Sequence, residues 1–312
     1  MSDFLREVIE GLEANDKYLL SKYFYNSEGD QLFQQIMQLD EYYLSRAEAE
    51  ILKEQSPQIC AHLPVNGFRL AELGAGDGTK TRFLLEAALE SKKEFSYHPI
   101  DISSNALEII STNLQHWLPE LEFEPMADEY FSALSRLAQM DDKALCVLFL
   151  GSNIGNFRRD NVDVFMSHLY KSLKPGDQVL LGVDLKKDPN KILAAYNDSL
   201  GITAAFNFNI LRRINDELGG QFDLRKFRHY NNYDPHSGES RSYLLSQETQ
   251  DVYIEKAGKS FHFDRHEAIH TETSRKYSPS DLKLLAEKHG FKIEQRFSDS
   301  QNFYEDQLWV RL

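Results

Sequence analysis

The sequence predicts an α/β fold: a doubly wound, Rossmann-like parallel sheet with a second α+β domain. Three observations predict it. Short apolar runs alternate with amphipathic helical stretches from residue 68 to 188. A glycine-rich stretch, Gly74-Ala75-Gly76-Asp77-Gly78, lies between the first of those runs and the helix after it. The rhythm breaks over 189–276 and then resumes for one helix and two closing strands.

In chain order, residues 3–13 and 16–24 read as short amphipathic helices. Leu32, Phe33, Ile36 and Met37 have helical spacing, and a further helix is expected from near Ser45 to about His62. Phe68–Leu73 is a short apolar strand that runs through the glycines into the helix KTRFLLEAALESK. There follow the strand SYHPIDIS and a helix with Ser103 or Ser104 as its cap. The buried strand ALCVLFLGS and the helix NVDVFMSHLYKSL come next. Lys174-Pro175-Gly176-Asp177 turns into another buried strand, QVLLGVDL. The irregular region holds helical text (AAFNFNILRRINDEL) and short strands (SRSYLLS, DVYIEKA, KSFHFD). Ser278-Pro279 then opens a helix that ends before Gly290, and FKIEQRF and DQLWVRL close the chain as strands. A helix and two strands after five α/β units is how a class I methyltransferase sheet finishes. The predicted domains are 51–188 with 277–312, and 1–50 with 189–276.

The 312 residues can bury one large core or two modest ones. Forty-nine acidic residues against 35 basic give a net charge of −14, which repels phosphate backbones and argues against a nucleic-acid partner. No apolar stretch reaches the roughly 20 residues that span a bilayer, and the N-terminus has no signal-peptide core. The expectation is a cytoplasmic protein without membrane or obligatory protein partner. Cys60 and Cys146 sit in apolar text with no C-x-x-C, so both are expected as reduced core residues.

The glycine loop is the first chemical signal. Glycines at a strand-to-helix turn allow a tight bend and let a ligand approach the backbone. The pattern is G-x-G-x-G with Glu72 at the strand end, not the dinucleotide G-x-G-x-x-G. Asp101 ends the next strand, where a carboxylate can accept both hydroxyls of a ribose. Asp128 and Glu129 follow the third unit, where an acid can meet an adenine amino group. Loop, ribose acid and adenine acid in that order indicate S-adenosylmethionine. A Gly-rich turn with ordinary solvated acids is the bland alternative.

RHEAIH (265–270) contains H-E-x-x-H, the pattern by which a helix presents two histidines to zinc. Its context is wrong for a peptidase. Phe261 and Phe263 alternate with His262 and Asp264, which is strand periodicity, and Thr271, Thr273 and Ser274 favour strand or turn. No metal is expected.

Several stretches together resemble one family. They are KYFYNSEGDQLFQQI, LDEYYLSRAEAEIL, AELGAGDGTKTRFLL, FLGSNIGNF, LGVDLKKDPNKILAAYNDSLGITAAFNFNIL and TETSRKYSP. The chain resembles the histidine-specific Nα-methyltransferases of ergothioneine biosynthesis, which use S-adenosylmethionine to convert L-histidine to its Nα-trimethyl form, hercynine. Relatives methylate other amino acids, including tryptophan-derived ones. The resemblance implies a substrate-binding role for the second domain. It also implies cofactor contacts from Gly74, Gly76, Lys80 and Asp101, with Asp128 and Glu129 near the adenine. By the same resemblance Tyr25 lies at the substrate end of the pocket, and Phe33 and Tyr42 line the reacting amine. Asn156 and Tyr196 match the pair that holds the α-carboxylate and amine, with Gly151 beside the substrate. Glu272 and Ser274 match the residues that hydrogen-bond the imidazole. The active site is expected at the C-terminal ends of the strands.

Two departures stand out. The family's glycine loop usually continues with Thr-Ser-Glu before the lysine, where this chain has Asp77-Gly78-Thr79. The family's histidine enzymes carry a methionine on the strand matching SRSYLLS, where this chain aligns Ser242. A smaller side chain there reshapes the pocket, leaving another amino-acid substrate as the alternative.

Overall fold

A computed structural model describes residues 2–157 and 159–312. The chain divides into two compact units, Met1–Tyr43 with Lys187–Arg275, and Leu44–Lys186 with Lys276–Leu312. The first break falls at 43/44 because Leu44–His62 is one continuous helix whose buried residues, among them Ile51, Leu52 and Ile59, belong to the core of the second unit. A boundary at 50 would cut it.

Among the described residues, twelve strands run in chain order. β1 (Phe68–Leu73), β2 (Phe95–Asp101), β3 (Met126–Ala127), β4 (Ala144–Phe149) and β5 (Gln178–Asp184) lie in the second unit. β6 (Phe227–Asp234), β7 (Glu239–Ser246), β8 (Gln250–Ile254), β9 (Lys259–Phe263) and β10 (Ala268–Arg275) lie in the first. β11 (Phe291–Ser298) and β12 (Tyr304–Arg311) return to the second.

The second unit is a seven-stranded sheet in the order β11-β12-β5-β4-β1-β2-β3. The five strands from β5 to β3 are parallel, and β12 and β11 pair antiparallel at one edge. Every residue of β1 and β5 is buried, so these strands have no solvent face, and Arg69 and Glu72 of β1 are buried with them. One apolar cluster, with Ile51, Leu70, Leu84 and Leu180, covers one face; another, with Leu73, Val147, Leu181 and Trp309, covers the other. The Ser103 hydroxyl caps the helix Ser104–Trp117 by accepting from the Ala106 N–H at 3.2 Å. The order reverses between β1 and β4, so their following loops diverge and leave a crevice at the strand C-termini.

The first unit packs the helices Asp3–Glu13, Ser27–Met37 and Ile202–Leu218 with the antiparallel sheet β10-β7-β6 and the hairpin β8–β9. Its core holds Val8, Phe24, Ile36, Phe206, Ile210, Leu244 and Phe263. Of residues 16–24, expected as helix, only Ser21–Phe24 form a short 3₁₀ turn, and 17–20 are extended. Their backbone pairs with β10: the Leu19 N–H donates to the His270 carbonyl (2.8 Å) and the His270 N–H to that of Lys17 (2.9 Å). Sheet pairing satisfies those groups where a four-residue helical stretch could not. The helix Tyr130–Met140 and strand β6 were not among the expected elements. FRHYNNYD in β6 carries too few apolar residues to show a strand period.

Candidate functional site

In the second unit, the loop after β1 turns through Gly74, Gly76 and Gly78, all at left-handed φ of 72°, 58° and 76°. A Cβ on Gly74 would sit 2.9 Å from the Tyr130 hydroxyl, whereas one on Gly76 would meet nothing within 4 Å. The Gly76 backbone is thus open to a ligand. Asp101 ends β2 half-exposed, and its carboxylate accepts the Ser103 N–H at 2.9 Å. Burial pushes its pKa up, against the hydrogen bonds from Ser103 and Ile102. Tyr130 was not anticipated as a site residue. Burial, with the Asp101 charge, pushes its phenol up to about 12, so it stays a neutral donor beside Gly74. Asp128 serves its own helix: Oδ1 accepts the Glu129 N–H at 2.8 Å, and Oδ2 accepts from Ser132 at 2.9 Å and pairs with Arg136 at 3.1 Å. Glu129 is exposed.

The loop after β4 bends through two consecutive left-handed residues, Gly151 (φ 72°) and Ser152 (φ 55°). Ser152 tolerates this strained backbone because it is buried and its hydroxyl accepts the Asp184 N–H at 3.1 Å. The Asn153 amide nitrogen lies 3.5 Å from where a Gly151 Cβ would be and 3.7 Å from a Gly74 Cβ, so the loops after β1 and β4 are neighbours. Asn156 ends the short 3₁₀ turn Asn153–Asn156 and is exposed. The Lys80 ammonium ion-pairs with the buried carboxylate of Glu48, a residue no sequence motif singled out.

Glu72, at the end of β1, is buried and accepts hydrogen bonds from Thr81 (2.6 Å) and Tyr97. Burial still pushes its carboxyl up to about 7. A folded-state value above the unfolded one means that its contribution to stability is whole below about pH 4.5 and lost as pH rises through 7. Glu72→Gln, which cannot ionise, is expected to gain about 3 kcal/mol on the native protein between pH 4.5 and 8. Urea denaturation across that range measures it, and a pH-independent difference would refute the assignment.

The first unit brings together a row of aromatic rings. Centroid distances are 5.8 Å for Tyr25–Phe33, 6.4 Å for Phe33–Tyr42 and 6.3 Å for Tyr42–Tyr196, each pair edge-to-face. Phe206, not anticipated, backs the row at 5.5 Å from Tyr25 and 5.8 Å from Phe33. The Tyr196 hydroxyl donates to the Ser274 hydroxyl at 2.7 Å.

A β-bulge sets the rest of this face. β10 pairs Ile269 with Leu244, but after the irregularity between His270 and Glu272 it pairs Glu272 with Ser242 and Ser274 with Ser240. Directly paired residues share a face, so the extra residue turns Glu272 and Ser274 to the side of Ile269, where strict alternation would place Thr271 and Thr273. β6 adds Asn231 opposite Ser242. The result is a polar row across three strands: Asn231, Ser242, Glu272. Asn231 donates to the Ser242 hydroxyl at 3.2 Å and the Arg241 carbonyl at 3.0 Å.

The H-E-x-x-H residues do not share a helix face. His266 lies in a turn at φ 71°, and His270 is in β10 with its ring against Thr273 Oγ1 at 3.0 Å. Glu267 pairs with Lys17 at 2.5 Å and accepts the Asp264 N–H at 2.8 Å. Metallopeptidase geometry requires the helix that is not formed here.

An open sheet in this order, an antiparallel edge pair, a glycine loop at the switch point and an acid ending β2 define a class I, S-adenosylmethionine-dependent methyltransferase. The sequence pattern of the histidine-specific, S-adenosylmethionine-dependent methyltransferases matches residues 4–311, and the chain belongs to that family. The histidine N-α-methyltransferase of Mycolicibacterium smegmatis is 33% identical over 306 residues, covering 98% of this chain and 94% of that one. That of Mycobacterium tuberculosis is 34% identical over 274 residues, covering 88% and 84%. Among solved structures, a "possible exported protein" of Bordetella parapertussis superposes with a TM-score of 0.51 at 10% identity, covering 90% of this chain and 79% of that one; the likeness is one of fold.

Proposed function

We propose that this enzyme methylates the α-amine of L-histidine with S-adenosylmethionine, through to the trimethyl product hercynine. Two relatives bear the name histidine N-α-methyltransferase. The observation that carries the substrate reading is the bulge in β10, which sets the Glu272 carboxylate beside Ser242 and Ser274 on one face. A carboxylate accepts an imidazole N–H, a contact that a side chain without a donor cannot make.

S-adenosylmethionine, when bound, supplies an electrophilic methyl group on a sulfonium. The chain fits it with the open Gly76 backbone, the Asp101 carboxylate and the neutral Tyr130 hydroxyl. The remaining work is orientation and dehydration of the amine. Tyr196 donates to Ser274 Oγ, which ties the hydroxyl at the end of the aromatic row to the polar face of β10. The rings of Tyr25, Phe33 and Tyr42 suit a product that gains a permanent positive charge, by about 0.5–2 kcal/mol of cation–π attraction. Reduced, buried Cys60 and Cys146 support a cytoplasmic setting. The partner in this reading is a free amino acid.

The test is a mass-spectrometric turnover assay with each of the twenty amino acids, chelator present. Histidine gaining three methyl groups is expected; methylation of another amino acid would move the substrate assignment. Glu272→Ala is expected to lower kcat/KM for histidine by about 2 kcal/mol, roughly 30-fold, as loss of one charged hydrogen bond. Full histidine affinity in that variant would sink the imidazole assignment.

A further inference from the structure

We propose that Glu48 is a positioning residue of the cofactor site: its single buried carboxylate holds the start of the helix after the glycine loop and the loop after β4 in one register. This rests on reading Gly74–Gly78 as the cofactor cradle.

Glu48 is fully buried in the helix Leu44–His62. It receives three donors from three distant segments. The Lys80 ammonium binds Oε2, one residue before the helix Thr81–Glu90 begins. The Gly151 N–H donates to Oε1 at 2.6 Å, and the Tyr304 hydroxyl donates to the same oxygen at 2.7 Å. Gly151 is the first of the two left-handed residues that shape the loop after β4. Both carboxylate oxygens are thus used as acceptors, one of them twice.

A second acid beside it makes the role of these three donors testable. The Glu48 and Asp306 carboxyl groups converge over Gly182 of β5. A Cβ there would collide with Glu48 Oε1 and lie 2.8 Å from the Tyr304 oxygen and 3.1 Å from Asp306 Oδ1. Asp306 is fully buried, and neither of its carboxyl oxygens has a hydrogen-bond partner. Two buried carboxylates this close do not both ionise. Glu48 has three donors and Asp306 has none, so Asp306 is the one held as a neutral acid. Burial, then the Glu48 charge, push Asp306 well above the usual carboxylate range. Glu48 thus ties the glycine loop to the neighbouring loop, while Asp306 fills space beside it.

Calorimetric binding of S-adenosylhomocysteine tests this, with turnover measured in parallel. Glu48→Gln is expected to weaken binding by about tenfold and to raise KM for S-adenosylmethionine while KM for histidine stays put. Asp306→Asn, which mimics a neutral acid, is expected to bind within about twofold of the native protein. Glu48→Gln binding like the native protein overturns the proposal, as does Asp306→Asn weakening binding more than Glu48→Gln. Should Glu48→Gln not fold, Tyr304→Phe decides. It removes one donor and is expected to weaken binding about threefold with Asp306→Asn unchanged; the reverse order overturns the proposal. A native protein that binds no S-adenosylhomocysteine would overturn the cofactor reading itself.

Discussion

Lys276→Met is expected to cost the fold about 3–5 kcal/mol, the range for removing one partner of a buried ion pair. Lys276 and Asp184 are both fully buried, with Nζ 2.7 Å from Oδ2. Methionine keeps the aliphatic stem and its packing, so the loss isolates the ion pair. The pair stands where the chain re-enters the second unit: the Tyr277 N–H donates to the Asp184 carbonyl at 3.0 Å, and the Lys186 N–H to that of Tyr277 at 2.9 Å. A lost pair is therefore expected to loosen the end of β5 as well. Urea denaturation midpoints measure the loss. The double variant Lys276→Met/Asp184→Asn is expected to recover most of it, because both partners are then neutral. A single variant within 1 kcal/mol of the native protein would show that the pair contributes little.

Asp101→Ala is expected to weaken S-adenosylhomocysteine binding on the order of 100-fold. Two ribose hydroxyls donating to one carboxylate account for about 3 kcal/mol at the lower end for charged hydrogen bonds. The carboxylate also accepts the Ser103 N–H, so alanine could disturb the start of the helix Ser104–Trp117. Asp101→Asn separates the two effects. Its amide oxygen keeps the turn but carries no charge, and an intermediate loss of about tenfold is expected. Unchanged affinity in Asp101→Ala would remove the ribose assignment.

The cofactor half was the more legible in sequence because its signals are local. A glycine loop needs left-handed backbone at Gly74, Gly76 and Gly78, and only glycine supplies it without strain. Asp101 follows from strand length alone. Helix caps at Ser103 and Ser278 are likewise three-residue events. Segments with mixed signals misled. Residues 17–20 have a helix-like pattern, yet they are extended because β10, distant in sequence, offers their backbone a partner. β6 was unread because its polar residues make sense only opposite β7.

Residue chemistry and short-range spacing thus determined by themselves the sheet class, the glycine turn, the acid that ends β2 and the family's aromatic and polar text. Tertiary structure alone decided the parity of β10 and the partners of Glu48. One bulged residue decides which side chains share the face of Ser242, and bulges leave no mark in hydrophobic period. The donors to Glu48 come from 32, 103 and 256 residues away, so its role exists only once β1, β4 and β12 lie in one sheet. A carboxylate's charge depends on what surrounds it, and the surroundings of Glu48 and Asp306 are made by the fold.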